Sequence, residues 1–248
     1  FRRGTDLLFA ACSDLRVRTF SINQFAQLEI LFGHHDNISQ ILSLAKETCV
    51  SVGSRDKTAM FWKVAEESRL TFSGGSSKDQ YSEGSIDVVS MVDESHFVTG
   101  SANGNIALWS LAKKKPLFVQ RTAHGLRPQL EPTQASAERD SGAVVAPEPQ
   151  PYEITSVHAV PYSDLFLSGS YDGTVKVWRI LKEGLRSFEV IGEIGNLKGC
   201  VADIIDVEVA NDRQKLVVHV LTSKENKFGR WYKVAGARNA LVSFMVDV

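Results

Sequence analysis

Short apolar runs, each followed by a polar turn and a second short run, recur along the chain. Four segments align without gaps: CSDLRVRTF (12–20), SRDKTAMFW (54–62), SANGNIALW (101–109) and SYDGTVKVW (170–178). Each opens on a small residue, places Asp or Asn two positions later, and ends on an aromatic: Phe20, Trp62, Trp109 or Trp178. Three of them follow an apolar run closing on Gly: CVSVG (49–53), HFVTG (96–100) and LFLSG (165–169). The pattern predicts strand, tight turn, strand in every unit. Asp56, Asn103 and Asp172 can bond backbone groups of the turn, and Gly104 and Gly173 tolerate positive φ there.

The terminal aromatics stand 42, 47 and 69 residues apart, and the last interval falls to 44 when the 25 residues 126–150 are read as an insertion. That segment carries four of the seven prolines and is expected to be a mobile surface loop. A fifth, degraded unit runs through CVADIIDVEV, KLVVHVLTS and GRWYKV, with Trp231 53 residues after Trp178; strand 240–246 is expected to close the ring. Four-stranded units of this period resemble WD repeats, which implies an all-β propeller. In that family His, Asp, Ser/Thr and Trp form a hydrogen-bonded set within a blade. The match is partial: His34, Asp56 and Trp62 fit it, Thr99 and Ser168 suit the hydroxyl place, and two blades lack an evident His. Trp62, Trp109 and Trp178 are expected between neighbouring blades. Residues 1–248 read as one propeller domain with five units and part of a sixth, and the usual seven implies one or two N-terminal blades beyond them.

Composition narrows the function classes. A hydrophobic share of 43% excludes a wholly disordered chain. With 28 Lys+Arg against 29 Asp+Glu, the net charge of −1 gives no global reason to expect nucleic acid, so such a role must rest on local patches. Cys12, Cys49 and Cys200 are odd in number and far apart, which argues against a disulfide framework or structural zinc. Apolar stretches such as 215–222 are strand-length, far short of the roughly 18 residues of a membrane helix, so no membrane partner is expected. Phe1 opens the chain without Met and the first residues lack signal-peptide order, so the chain reads as an excerpt of a longer protein.

Motifs for catalysis are missing. There is no phosphate-cradling Gly-rich loop, nucleophile elbow or HExxH, and no cofactor, metal site or catalytic residue is assigned. The pair His34-His35 reads as the opening of a WD repeat, and Asp203 and Asp206 as rim or turn residues. Basic residues are the remaining candidates: Arg16 and Arg18 in the first unit, Arg55 and Lys57 flanking Asp56, and the run Lys113, Lys114 and Lys115 after the third aromatic. Three adjacent cations repel one another unless something anionic is near. Contact with RNA through them would be backbone contact with strong salt dependence. Tyr171 and Arg55 precede the turn Asp of their units, a place that in the WD-repeat family faces partners.

The links between repeats are more particular than the repeats. LFGHHD (31–36), residues 49–78, SIDVVSMVDESHFVTGSANGNIALWSLAKKKP (85–116), AHG (123–125), residues 154–178 and GRW (229–231) together resemble the WD-repeat proteins of the U3 small nucleolar ribonucleoprotein. The resemblance spans essentially the whole chain, departing at a short 72–83 connection that is longer in some relatives. It implies a nucleolar, non-enzymatic part of the small-subunit processome. The expected partners are the U3 box C/D RNA at its box B/C element, the kink-turn-binding core protein and other processome proteins. Two other readings stay open: a peptide-recognition propeller (ubiquitin-ligase receptor or chromatin reader) around Arg55 and Tyr171, and a propeller hydrolase with polar groups at the central channel.

Overall fold

In the computed structural model, which describes residues 1–2, 4–74, 84–129, 148–181, 184–195, 197–209, 215–229 and 234–247, the chain folds as five successive antiparallel meanders. The first is β1 (Leu7–Ala11), β2 (Arg16–Ser21) and β3 (Ala26–Phe32). The second is β4 (Ile38–Leu42), β5 (Thr48–Gly53), β6 (Thr58–Lys63) and β7 (Ser68–Ser73). The third is β8 (Ile86–Met91), β9 (His96–Ser101), β10 (Ile106–Ser110) and β11 (Phe118–Gln120). The fourth is β12 (Ile154–Ala159), β13 (Leu165–Ser170), β14 (Val175–Ile180) and β15 (Phe188–Ile194). The fifth is β16 (Cys200–Val209), β17 (Lys215–Ser223) and β18 (Ala240–Asp247). The strand expected to close the ring, 240–246, is β18, and it pairs with β17 inside the fifth sheet. The first two runs of the fifth unit are β16 and β17, while Trp231 with most of GRWYKV, most of the 72–83 connection and most of the insertion lie outside the described residues.

Successive sheets stack face to face, and this explains the strand composition. In β6 the side chains alternate in direction, yet TAMFWK is buried along its middle. Met60 and Trp62 pack with Leu7, Phe9 and Val17 of the first sheet, while Ala59 and Phe61 pack with Ile86, Val89 and Trp109 of the third. A strand covered on both faces reads as a continuous apolar run, not as an alternation. Trp109 lies in the interface with the second sheet and Trp178 in that with the third. Each of these two stacks on the Phe opposite it in register: Trp109 on Phe97 and Trp178 on Phe166, both with centroids 5.9 Å apart. In the second sheet Cys49 stands opposite Trp62 instead, fully buried, and burial drives its thiol well above the usual range.

The inner strands are stitched to one another. Val89 N–H donates to Gln40 Oε1 at 2.8 Å, Ala159 N–H to Ser90 Oγ at 2.8 Å, and Ile204 N–H to Ser156 Oγ at 3.0 Å. Each inner strand also carries a register shift near its start, between Ile38 and Gln40, Ile86 and Val88, Ile154 and Ser156, and Val201 and Asp203. A bulge leaves one residue outside the ladder and turns it aside. Two of these residues bond sideways: Asp87 accepts from Ser54 Oγ at 2.8 Å, and Thr155 Oγ1 donates to Val201 O in the next sheet. Gly169 permits this approach, since a Cβ there would lie 2.2 Å from Val201 Cγ1.

Candidate partner-binding end and its polar scaffold

Antiparallel meanders sort the loops onto two ends. The links from sheet to sheet share one end, called upper here, with the turns β1–β2, β5–β6, β9–β10, β13–β14 and β17–β18. The turns β4–β5, β8–β9 and β12–β13, and the connections into the outer strands, lie at the lower end.

The upper end is fixed by buried polar chains. In the second sheet Trp62 Nε1–H donates to Ser51 Oγ at 2.8 Å, Ser51 Oγ lies 2.7 Å from His34 Nε2, and His34 Nδ1 lies 2.8 Å from Asp56 Oδ2. Indole can only donate, so the Ser proton is left for Nε2, and the neutral imidazole with its proton on Nδ1 satisfies every partner. Asp56 then accepts from Thr58 N–H and Oγ1–H, both at 2.9 Å, which closes the turn. The fourth sheet repeats this with Trp178, Ser168, His124 and Asp172, at 2.8, 2.8 and 3.0 Å. Burial opposes ionisation of Asp56 and Asp172, but the hydrogen bonds from His34 or His124 and from the turn Thr outweigh it, so both carboxyls sit below their ordinary range.

His124 is the histidine that the sequence left unassigned in the fourth unit. It belongs to AHG, 48 residues before Asp172, whereas His34 precedes Asp56 by 22; the insertion separates it from its own blade. The third sheet has no such His: Trp109 Nε1–H donates to Thr99 Oγ1 at 2.9 Å, and Asn103 stands exposed in the carboxylate's place. The first unit departs further. Asp14 takes the Asp position but receives Arg18 in a two-pronged pair at 2.6 and 3.0 Å.

The candidate contact residues fall on opposite ends. Arg55 is exposed and Lys57 half-buried beside Asp56, both at the upper end. Arg16 is at the same end, its guanidinium 4.7 Å from the Phe32 ring centre. Lys113, Lys114 and Lys115 are exposed in the β10–β11 connection, at the lower end. Tyr171 is half-buried at the upper end with the Arg127 guanidinium 5.0 Å from its ring centre. Between the inner strands a cavity of about 290 Å³ is lined by Gln40, Ser90, His158 and Asp203 among others. Asp203 of this lining accepts from Ser156 Oγ at 2.7 Å and lies 3.7 Å from Lys227 Nζ. Among the described residues no group of three or more His, Cys, Asp or Glu is placed to hold a metal, and no helix is long and apolar enough to cross a membrane.

Comparison with known proteins fits this architecture. The family profile described as WD domain, G-beta repeat matches residues 148–179, which carry Ser168, Asp172 and Trp178. The chain is 45% identical, over all of its length and 49% of the relative's, to ribosomal RNA-processing protein 9 of Saccharomyces cerevisiae. It is 35% identical to the human U3 small nucleolar RNA-interacting protein 2, over 71% of this chain and 30% of that one. The solved structure of U3-55K superposes with a TM-score of 0.80 at 32% identity, covering 100% of this chain and 66% of that one. The chain thus spans about half or less of the length of these two curated relatives. It belongs to the WD-repeat proteins that include ribosomal RNA-processing protein 9 and the U3 small nucleolar RNA-interacting proteins.

Proposed function

We propose that this chain is a non-catalytic assembly module of the U3 small nucleolar ribonucleoprotein, acting in the nucleolus in pre-ribosomal RNA processing. The observation that carries the reading is the 45% identity along the whole chain to a ribosomal RNA-processing protein. The fold supports it, because the buried polar chains and the stacked tryptophans spend their chemistry on holding a rigid surface. The partners are U3 RNA at its box B/C element, the kink-turn-binding protein seated there, and other proteins of the small-subunit processome.

A near-neutral chain binds RNA here through local cations, and the structure offers two sets on opposite ends: Arg55 with Lys57, and Lys113 with Lys114 and Lys115. Box B/C RNA assembled with the kink-turn protein should bind, and the affinity should fall steeply with salt as phosphate contacts release counterions. Charge reversal at one set should lower the affinity while the other leaves it unchanged, which assigns the RNA-facing end. Equal affinity for an unrelated kink-turn RNA carrying the same protein would sink the reading. So would wild-type affinity in both reversed variants.

A further inference from the structure

The inserted segment leaves and rejoins the upper end through an ordered stem. Leu126 bridges Pro151, Arg127 N–H donates to Gln150 O at 2.8 Å, and Tyr152 N–H donates to Gly125 O at 3.0 Å. The returning strand lies on the β9–β10 turn, where Gly104 has φ +70° and a Cβ would come 2.6 Å from Tyr152 O. This contact holds the Tyr152 backbone against the β9–β10 turn, while Tyr171 lies in the β13–β14 turn. Tyr171 N–H is itself tied to Glu153 O at 3.4 Å, one residue beyond Tyr152.

Onto this pair the chain lays one of its own cations. The Arg127 guanidinium stands 5.0 Å from the Tyr171 ring centre and 6.0 Å from that of Tyr152. Aromatic faces attract a guanidinium through the ring quadrupole and gain from its flat, weakly hydrated shape, which an ammonium lacks. We propose that Tyr152 and Tyr171 form a guanidinium-binding cradle at the upper end, occupied in cis by Arg127, and that it accepts an arginine side chain of a protein partner in trans when Arg127 is displaced. The partner segment is an arginine-rich peptide. The site is independent of where RNA binds, so its test uses no RNA.

The experiment is fluorescence anisotropy of a labelled peptide of alternating arginine and glycine, and of its lysine counterpart, at about 0.15 M salt. Arg127→Ala should tighten binding of the arginine peptide about two- to five-fold, the occupancy that a partly exposed cation–aromatic contact sustains. The gain should vanish in the Arg127→Ala, Tyr171→Ala double variant. It should return in Arg127→Ala, Tyr171→Phe, which keeps the ring and guards against damage to the turn. The lysine peptide should gain clearly less. Three results would overturn the proposal: no gain, a gain that survives Tyr171→Ala, or an equal gain for lysine, the last two being the mark of a removed positive charge alone.

Discussion

Asp172 and Asp56 show how one residue type serves a blade through its neighbours. Both carboxyls are partly desolvated, and both stay ionised because an imidazole N–H and a threonine point at them. A carboxyl held below its ordinary range binds fewer protons folded than unfolded, so its contribution is present at neutral pH and is lost as pH falls through and below the usual carboxylate range. Asp172→Asn should therefore lower the urea midpoint at pH 7, and its midpoint should then fall less than that of the unsubstituted chain on acidification toward pH 3. Parallel pH profiles would remove the Asp172 carboxylate as a source of acid sensitivity. His124→Ala leaves Ser168 and Asp172 without their shared partner and should cost about 1–3 kcal/mol in the same assay. Much of this site was legible: Asp56, Trp62, Asp172 and Trp178 declared themselves by fixed spacing inside compact hairpins. His124 did not, because its spacing to the hairpin crosses an inserted loop that has no fixed length. Nor did the pairing of Arg18 with Asp14, where side-chain reach and not the repeat decides the partner.

Elements were legible where both faces are buried. The runs in β5, β6, β9, β10 and β13 are nearly continuous in apolar and small residues, because each is covered by a sheet on either side. Outer strands such as β11, three half-buried residues, carry too little apolar area to announce themselves. The bulges of the inner strands were invisible for a different reason. A periodic pattern says which face a residue occupies, but not that one residue has left the ladder to bond the next sheet. The stitches between inner strands were invisible too, since they join strands far apart in sequence: Ala159 N–H reaches Ser90 Oγ across 69 positions. Both residues are buried, so deleting the acceptor leaves a backbone donor without its partner. Ser90→Ala should cost about 1–3 kcal/mol in denaturant unfolding. Loss of the Ser90 contact should also raise hydrogen exchange at the Ala159 amide selectively. An unchanged exchange rate there would show that the ladder, and not the side-chain stitch, holds the inner strands together.

Across the whole molecule, order is passed from sheet to neighbouring sheet. Each of the four apolar clusters spans two successive sheets, so every middle sheet contributes to two clusters and the first and last to one each. The burial patterns record the difference: β10 is buried at every residue, β2 only on alternate residues, and β18 at none. Phe25 and Phe32 in the first sheet and its turn, and Leu241 and Met245 in the last, are correspondingly exposed. An architecture whose units touch only their neighbours has a stability close to a sum of unit and interface terms, and it opens first where an interface term is lacking. Hydrogen exchange on this chain should therefore be graded. The amides of β8–β10 and β12–β14 should exchange only through global unfolding, and those of β2 and β18 several-fold faster through local opening. Adding mild denaturant should bring the two groups together, because local openings expose little new surface and respond weakly to it. Uniform protection from β2 to β18 would instead show that the stitched inner strands, running through all sheets from β4 onward, make the assembly a single cooperative unit.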